Sequence, residues 1–198
     1  MAKRFLFLEV IDPEVVNLLT GIRGLATEQK PKSGVHVTIR GPYNREIPRP
    51  QIEQYQKWLR RHPLLLESVG SFHDLERHVV YIRVKHPVLR RIWWKPDFPV
   101  NKFGFNPHIT LYDGNSAERA NRLRAFLERE QLKLLTWEFR VTAYVADHAD
   151  FFKPKPNSDD SFLGLVNRGL VRADILARLG RTLNFVGAEE LPRATATV

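Results

Sequence analysis

The chain has 198 residues, with 31 Lys plus Arg against 22 Asp plus Glu, a formal net charge of +9, and no cysteine. A composition that is 43% hydrophobic and 11% aromatic can bury a core, which excludes a generally disordered chain. Zero cysteine excludes disulfides, thiolate zinc sites, iron–sulfur clusters and cysteine nucleophiles together, while the basic excess points to an anionic partner.

Lys3-Arg4 precede a short apolar run, Phe5-Leu6-Phe7-Leu8, which Glu9 and Asp12 end well before it reaches the length of a signal core. No stretch approaches the ~20 apolar residues needed to span a bilayer, so the expectation is a soluble, cytoplasmic protein with no membrane partner. Residues 3–11 read as a buried strand. Asp12-Pro13-Glu14 is a helix start, with Val15, Leu18, Leu19 and Ile22 as its apolar face and Gly21 and Gly24 predicted to close it. Residues 35–40 alternate apolar and polar as a half-buried strand does. A helix is expected over about 50–61, strands near 64–72 and 78–84, and a short helix around 87–94. Residues 107–112 alternate again, Ser116 caps a charged helix with Ala120, Leu123 and Leu127 inward, and 132–146 holds one or two further strands.

Helices mixed with antiparallel-looking strands make the fold class α+β rather than doubly wound. The division falls at about residue 150, with residues 1–149 as the main domain and 150–198 as a linker and helical extension. FFKPKPNSDDS is the linker, and beyond it 168–181 is amphipathic, with Leu170, Val171, Ile175, Leu176 and Leu179 on one side and an Asp174–Arg178 pair on the other. Residues 150–198 hold seven basic and six acidic side chains, which leaves 24 basic and 16 acidic, or +8, in residues 1–149. The signal for an anion therefore belongs to the main domain.

Two tetrapeptides stand out, His36-Val37-Thr38-Ile39 and His108-Ile109-Thr110-Leu111. Both lie in expected strands, where alternation places each His on the same face as its Thr and the aliphatic residues on the other. Cleaving a phosphodiester requires a base to activate the attacking oxygen and an acid to protonate the leaving one, and histidine serves either role near neutrality. Threonine hydroxyls beside them can donate to the non-bridging oxygens, where charge gathers. No P-loop, dinucleotide or nucleophile-elbow motif competes with this pair.

Two H-x-T motifs about seventy residues apart, after an N-terminal strand–helix unit, resemble the 2H phosphoesterase superfamily, which includes 2′-5′ RNA ligase-like proteins and RNA 2′,3′-cyclic phosphodiesterases. The resemblance covers roughly residues 3–146. Phe105-Asn106-Pro107-His108-Ile109-Thr110-Leu111 is the closer motif, since a proline before that histidine is usual in the family. The first motif departs after Ile39, where Arg40-Gly41-Pro42-Tyr43 stands in place of aromatic–Leu–Gly, and this leaves the subfamily and substrate open.

The resemblance implies a two-lobed α+β fold with pseudo-twofold symmetry, its antiparallel sheets backed by outer helices and each lobe giving one H-x-T strand to a central groove. It implies hydrolysis or transesterification of 2′,3′-cyclic or 2′-5′ phosphodiesters, with no metal or other cofactor, on an RNA end or a nucleotide. His36 and His108 become the acid/base pair, and Thr38 and Thr110 the phosphate-oxygen donors. Arg40 and Tyr112 occupy the next same-face positions, Lys102 can meet phosphate, and Tyr43, Phe103 and Phe105 are candidates for stacking on a base. Trp93-Trp94 read as core. His73, His78 and His86 lack metal-site spacing. A non-catalytic RNA- or nucleotide-binding module is the alternative reading, and a third puts function in the extension as a partner-docking helix.

Overall fold

Alternation along the first strand organises the molecule. In the computed structural model, which describes residues 3–27, 34–74, 77–93, 104–146 and 172–184, β1 (Lys3–Val10) turns Leu6, Leu8 and Val10 into the core. Its alternate positions, Phe5, Phe7 and Glu9, stand half-buried on the opposite face. β1 is the centre of a three-stranded antiparallel sheet, flanked by β2 (His36–Tyr43) and β7 (Phe139–Ala146). A second antiparallel sheet has the order β5 (His108–Gly114), β4 (Arg77–Lys85), β3 (Leu64–Asp74), β6 (Lys133–Thr136). The fold is thus α+β, built on two antiparallel sheets. β2 and β5 are edge strands of different sheets, and they touch each other.

Five helices accompany the strands among the described residues. Asp12 caps α1 (Pro13–Ala26) by accepting from the amides of Glu14 at 3.0 Å and Val15 at 3.3 Å, and Pro13 needs no amide partner there. The expected stop at Gly21 and Gly24 does not occur, and the helix runs on to Ala26. An interior glycine costs only about 1 kcal/mol, which the burial of Ile22 and Ala26 against the sheets offsets. Arg49–Leu59 forms α2 and Leu89–Ile92 a single turn, α3. Ser116 caps α4 (Ala117–Glu130) through the amide of Arg119, and this helix buries Ala120, Leu123, Phe126 and Leu127.

α5 (Ala173–Asn184) packs on α1 and α4. Its buried face, Ile175, Leu176, Leu179 and Leu183, joins one hydrophobic cluster with Leu6, Leu8, Val37, Ile39, Ile82 and Ile109. Arg178 bridges Asp174 at 2.9 Å and Glu130 of α4 at 2.7 Å. The extension's helix is therefore part of the core, with its apolar face already occupied; the expected linker lies outside the described residues. None of the described helices is long and apolar enough to cross a membrane.

Candidate active site

Both H-x-T segments fold as their alternation requires. Val37 and Ile39, and Ile109 and Leu111, are buried in the core, while His36, Thr38, His108 and Thr110 are half-buried on the other faces of β2 and β5. The cross-strand registers match position for position. His36 lies opposite Glu9 and Thr38 opposite Phe7, just as His108 lies opposite Arg83 and Thr110 opposite Tyr81. In each pair a register shift follows the threonine, so that Arg40 falls opposite Leu6 and Tyr112 opposite Val80.

The two imidazoles are held in the same way. His36 Nδ1 sits 2.8 Å from the carbonyl oxygen of Gly34, and His108 Nδ1 sits 2.7 Å from that of Asn106, in each case two residues upstream. A carbonyl oxygen only accepts, so Nδ1 carries the proton and Nε2 is the nitrogen left to exchange one. Burial holds both histidines below the ordinary value of 6.5, partly countered by those carbonyl contacts. Arg23 and His108 lower His36 further and Glu9 raises it, so the two histidines lie within electrostatic reach of each other.

Aromatic rings wall both sides. Phe7 stacks on His36 with centroids 3.9 Å apart and 26° between planes, and Tyr144 stacks behind Phe7 at 5.0 Å. On the other side Tyr81 lies 4.7 Å from His108 and Phe72 meets it edge-on at 6.0 Å. Tyr81 lies over Gly70, where a Cβ would meet its ring at 2.5 Å, so that glycine makes room for the wall. Glu9 Oε2 accepts from Arg140 Nε at 2.8 Å and Thr142 Oγ1 at 3.1 Å.

The residues expected to contact substrate fare differently. Arg40 does not stay on the His36 face, because the register shift after Thr38 turns it towards the helices. There it donates to Tyr43 Oη at 2.6 Å and to the Ile92 carbonyl at 3.2 Å. It lines a crevice of about 880 Å³ with Tyr55, Trp58, Arg91 and Ile92, a space that none of the four motif side chains lines. Tyr43 goes with it. Tyr112 is likewise redirected into the core, where its hydroxyl accepts from the Ser116 amide at 3.0 Å and lies 3.3 Å from the Ser116 carbonyl. Simple alternation fails at both positions because an irregularity adds one residue and brings the next paired residue opposite a core-facing partner, Leu6 or Val80.

Phe105 is exposed, with Arg90 over its ring at 5.0 Å and Trp93 edge-on at 5.4 Å. Lys102, Phe103 and Trp94 lie outside the described residues. Trp93 packs against the core as expected.

Sequence reasoning missed Phe7, Tyr81, Glu9 and Arg23. The first three were accessible from period-2 alternation in β1 and β4, although their opposition to the motifs depends on register. Arg23 stands four residues after buried Leu19, a charge on the apolar stripe of α1.

Of the other histidines, His86 and the His73–His78 pair have partners of their own. His86 is buried and donates from Nε2 to the Leu59 carbonyl at 2.9 Å, while its Nδ1 accepts from the Val88 amide at 3.1 Å. His73 and His78 face each other across β3 and β4, with their Nδ1 atoms 2.7 Å apart. Among the described residues no group of three or more histidine or carboxylate side chains is placed to hold a metal. Comparison with protein-family models and with curated proteins finds no match to this chain.

Proposed function

We propose that this chain is a 2H-type phosphoesterase that hydrolyses, or reversibly transesterifies, a 2′,3′-cyclic phosphate or a 2′-5′ phosphodiester of an RNA end or nucleotide. One observation carries the reading. Two His/Thr pairs stand on touching edge strands in the same cross-strand register, with each imidazole tied through Nδ1 to the carbonyl two residues upstream. This repeated unit supports a pseudo-twofold, two-lobed arrangement with the reacting phosphate between the lobes.

In the reaction, one Nε2 accepts the proton of the attacking water or hydroxyl as its oxygen bonds to phosphorus. The opposite Nε2, protonated, gives its proton to the ribose oxygen as the P–O bond breaks. Thr38 and Thr110 donate to the non-bridging oxygens, and Phe7 and Tyr81 hold the rings in place while excluding water. Both histidines start biased towards the neutral form, and an incoming phosphate favours protonation of one of them. The net charge of +8 on residues 1–149 favours the approach of such an anion.

The test is mass-spectrometric product identification with 2′,3′-cyclic nucleotides, 2′-5′ oligonucleotides and cyclic-phosphate RNA, with and without EDTA. Turnover is expected in both conditions, and His36→Ala and His108→Ala should each cost at least ~10²-fold with the fold intact. Tight binding with no product would replace the enzyme by a binding module. Turnover abolished by chelator would move the chemistry to a metal.

A further inference from the structure

The two His/Thr units repeat each other in register and in the carbonyl that holds each imidazole, but differ in the charges around their histidines. At His108 the carbonyl of Asn106 accepts from Nδ1, and the opposing cross-strand residue is Arg83, which is exposed to solvent and screened. At His36 the carbonyl of Gly34 accepts from two donors, His36 Nδ1 at 2.8 Å and Arg23 NH1 at 3.1 Å. Arg23 reaches this point from the last turn of α1, beside buried Ile22 and Ala26. Burial draws its guanidinium down to about 10, which leaves it cationic throughout the working range of an imidazole.

Two consequences follow for His36. A cation close to the ring opposes a second positive charge on it. The same cation also draws electron density from the shared carbonyl, which weakens the bond that would otherwise stabilise the Nδ1–H of an imidazolium. Among the described residues, the other charged groups facing His36 are Glu9 opposite it on β1 and His108 on β5. Glu9 favours protonation, but its Oε2 is engaged by Arg140 and Thr142 of β7.

We propose that Arg23 is a positioning residue that, through the shared Gly34 carbonyl and its own charge, keeps His36 neutral at Nε2 and thereby makes His36 the base and His108 the acid. The assignment of roles rests on the acid/base reading above; the coupling of Arg23 to His36 does not. Pseudo-symmetry alone would make the two histidines interchangeable; Glu9 and Arg23 both distinguish His36, and Arg23 is the one that shares the carbonyl on which its Nδ1 rests.

The experiment is a ring-resolved NMR titration of His36 and His108 in the full chain. It is run on wild type, Arg23→Gln, Arg23→Lys and Glu9→Gln, alongside the pH profile of kcat/KM on a 2′,3′-cyclic nucleotide. In Arg23→Gln the His36 midpoint should rise and that of His108 should stay. The acid limb of the profile should follow His36, with activity at about pH 5.5, relative to the optimum, falling at least ~3-fold. Arg23→Lys should restore most of the wild-type midpoint, and Glu9→Gln should move it down, which keeps the test available if Arg23→Gln does not fold. A stationary His36 midpoint, an equal shift at His108, or a lysine variant no different from glutamine overturns the proposal. An acid limb that stays put while His36 shifts overturns the base assignment. If wild type turns over no substrate while His36 shifts as expected, the catalytic reading fails and the coupling stands.

Discussion

Leu179→Ala tests whether the C-terminal helix belongs to the fold. Leu179 is 0% exposed in α5, packed within the shared cluster among Ile175, Leu176 and Leu183. Truncating a fully buried leucine costs about 2–5 kcal/mol, comprising the lost transfer energy and the cavity left behind. Its neighbours on α5 are themselves buried, so the site has limited room to collapse, and about 3 kcal/mol is expected. For a chain of this size that corresponds to a melting temperature lower by about 6–12 °C and a urea midpoint lower by about 1 M. The cost has a ceiling, because a helix that docks with less free energy than this will detach instead. That outcome would appear as a smaller loss of global stability together with proteolysis within α5. The assay is urea unfolding followed by fluorescence and far-UV circular dichroism, with Leu135→Ala, which is 60% exposed, as the control. A Leu179→Ala midpoint within about 0.5 kcal/mol of wild type, with α5 still protected from protease, would refute the packing argument.

Stability should fall as pH drops below about 6.5, because His36, His86 and His108 are all harder to protonate folded than unfolded. Their contribution is complete above that value and is lost through the folded values below it; a pH series of urea midpoints that is flat or rises towards acid would contradict this. On the two-histidine reading proposed above, the same directions place the free-enzyme optimum of kcat/KM on the acid side of 6.5, since a bell lies between its two limbs; an alkaline optimum would require a different acid. Gly70→Ala should displace the Tyr81 ring from His108 and reduce kcat by about 10–100-fold, read together with the His108 ring shifts. Unchanged kinetics and shifts would show that the wall has no part in placing His108.

The motif residues were legible because their information is local. A strand's period of two places His36 with Thr38 and His108 with Thr110 on one face whatever the strand pairs with, and that placement holds. Asp12 and Ser116 were equally legible as caps, since an N-cap acts within its own first turn. Arg40 and Tyr112 were not. Each was extrapolated one period beyond its threonine, and the register shift at that point depends on how β1 and β4 pair with their edge strands. The glycines of α1 misled for a related reason, because helix propensity is a weak term against burial.

The sequence by itself determined the strands and most of the helices, the two matched His/Thr pairs, and the concentration of positive charge on residues 1–149. These follow from periodicity, capping and composition, which act over a few residues or are simple counts. Only the tertiary structure decided that β2 and β5 are touching edges of different sheets, that Phe7 and Tyr81 wall the histidines, and that α5 is part of the core. It alone brought Arg23, thirteen residues before His36, onto the carbonyl that His36 also uses. Such proximities arise from the register and packing of elements distant in the chain, and no local pattern of residues encodes them.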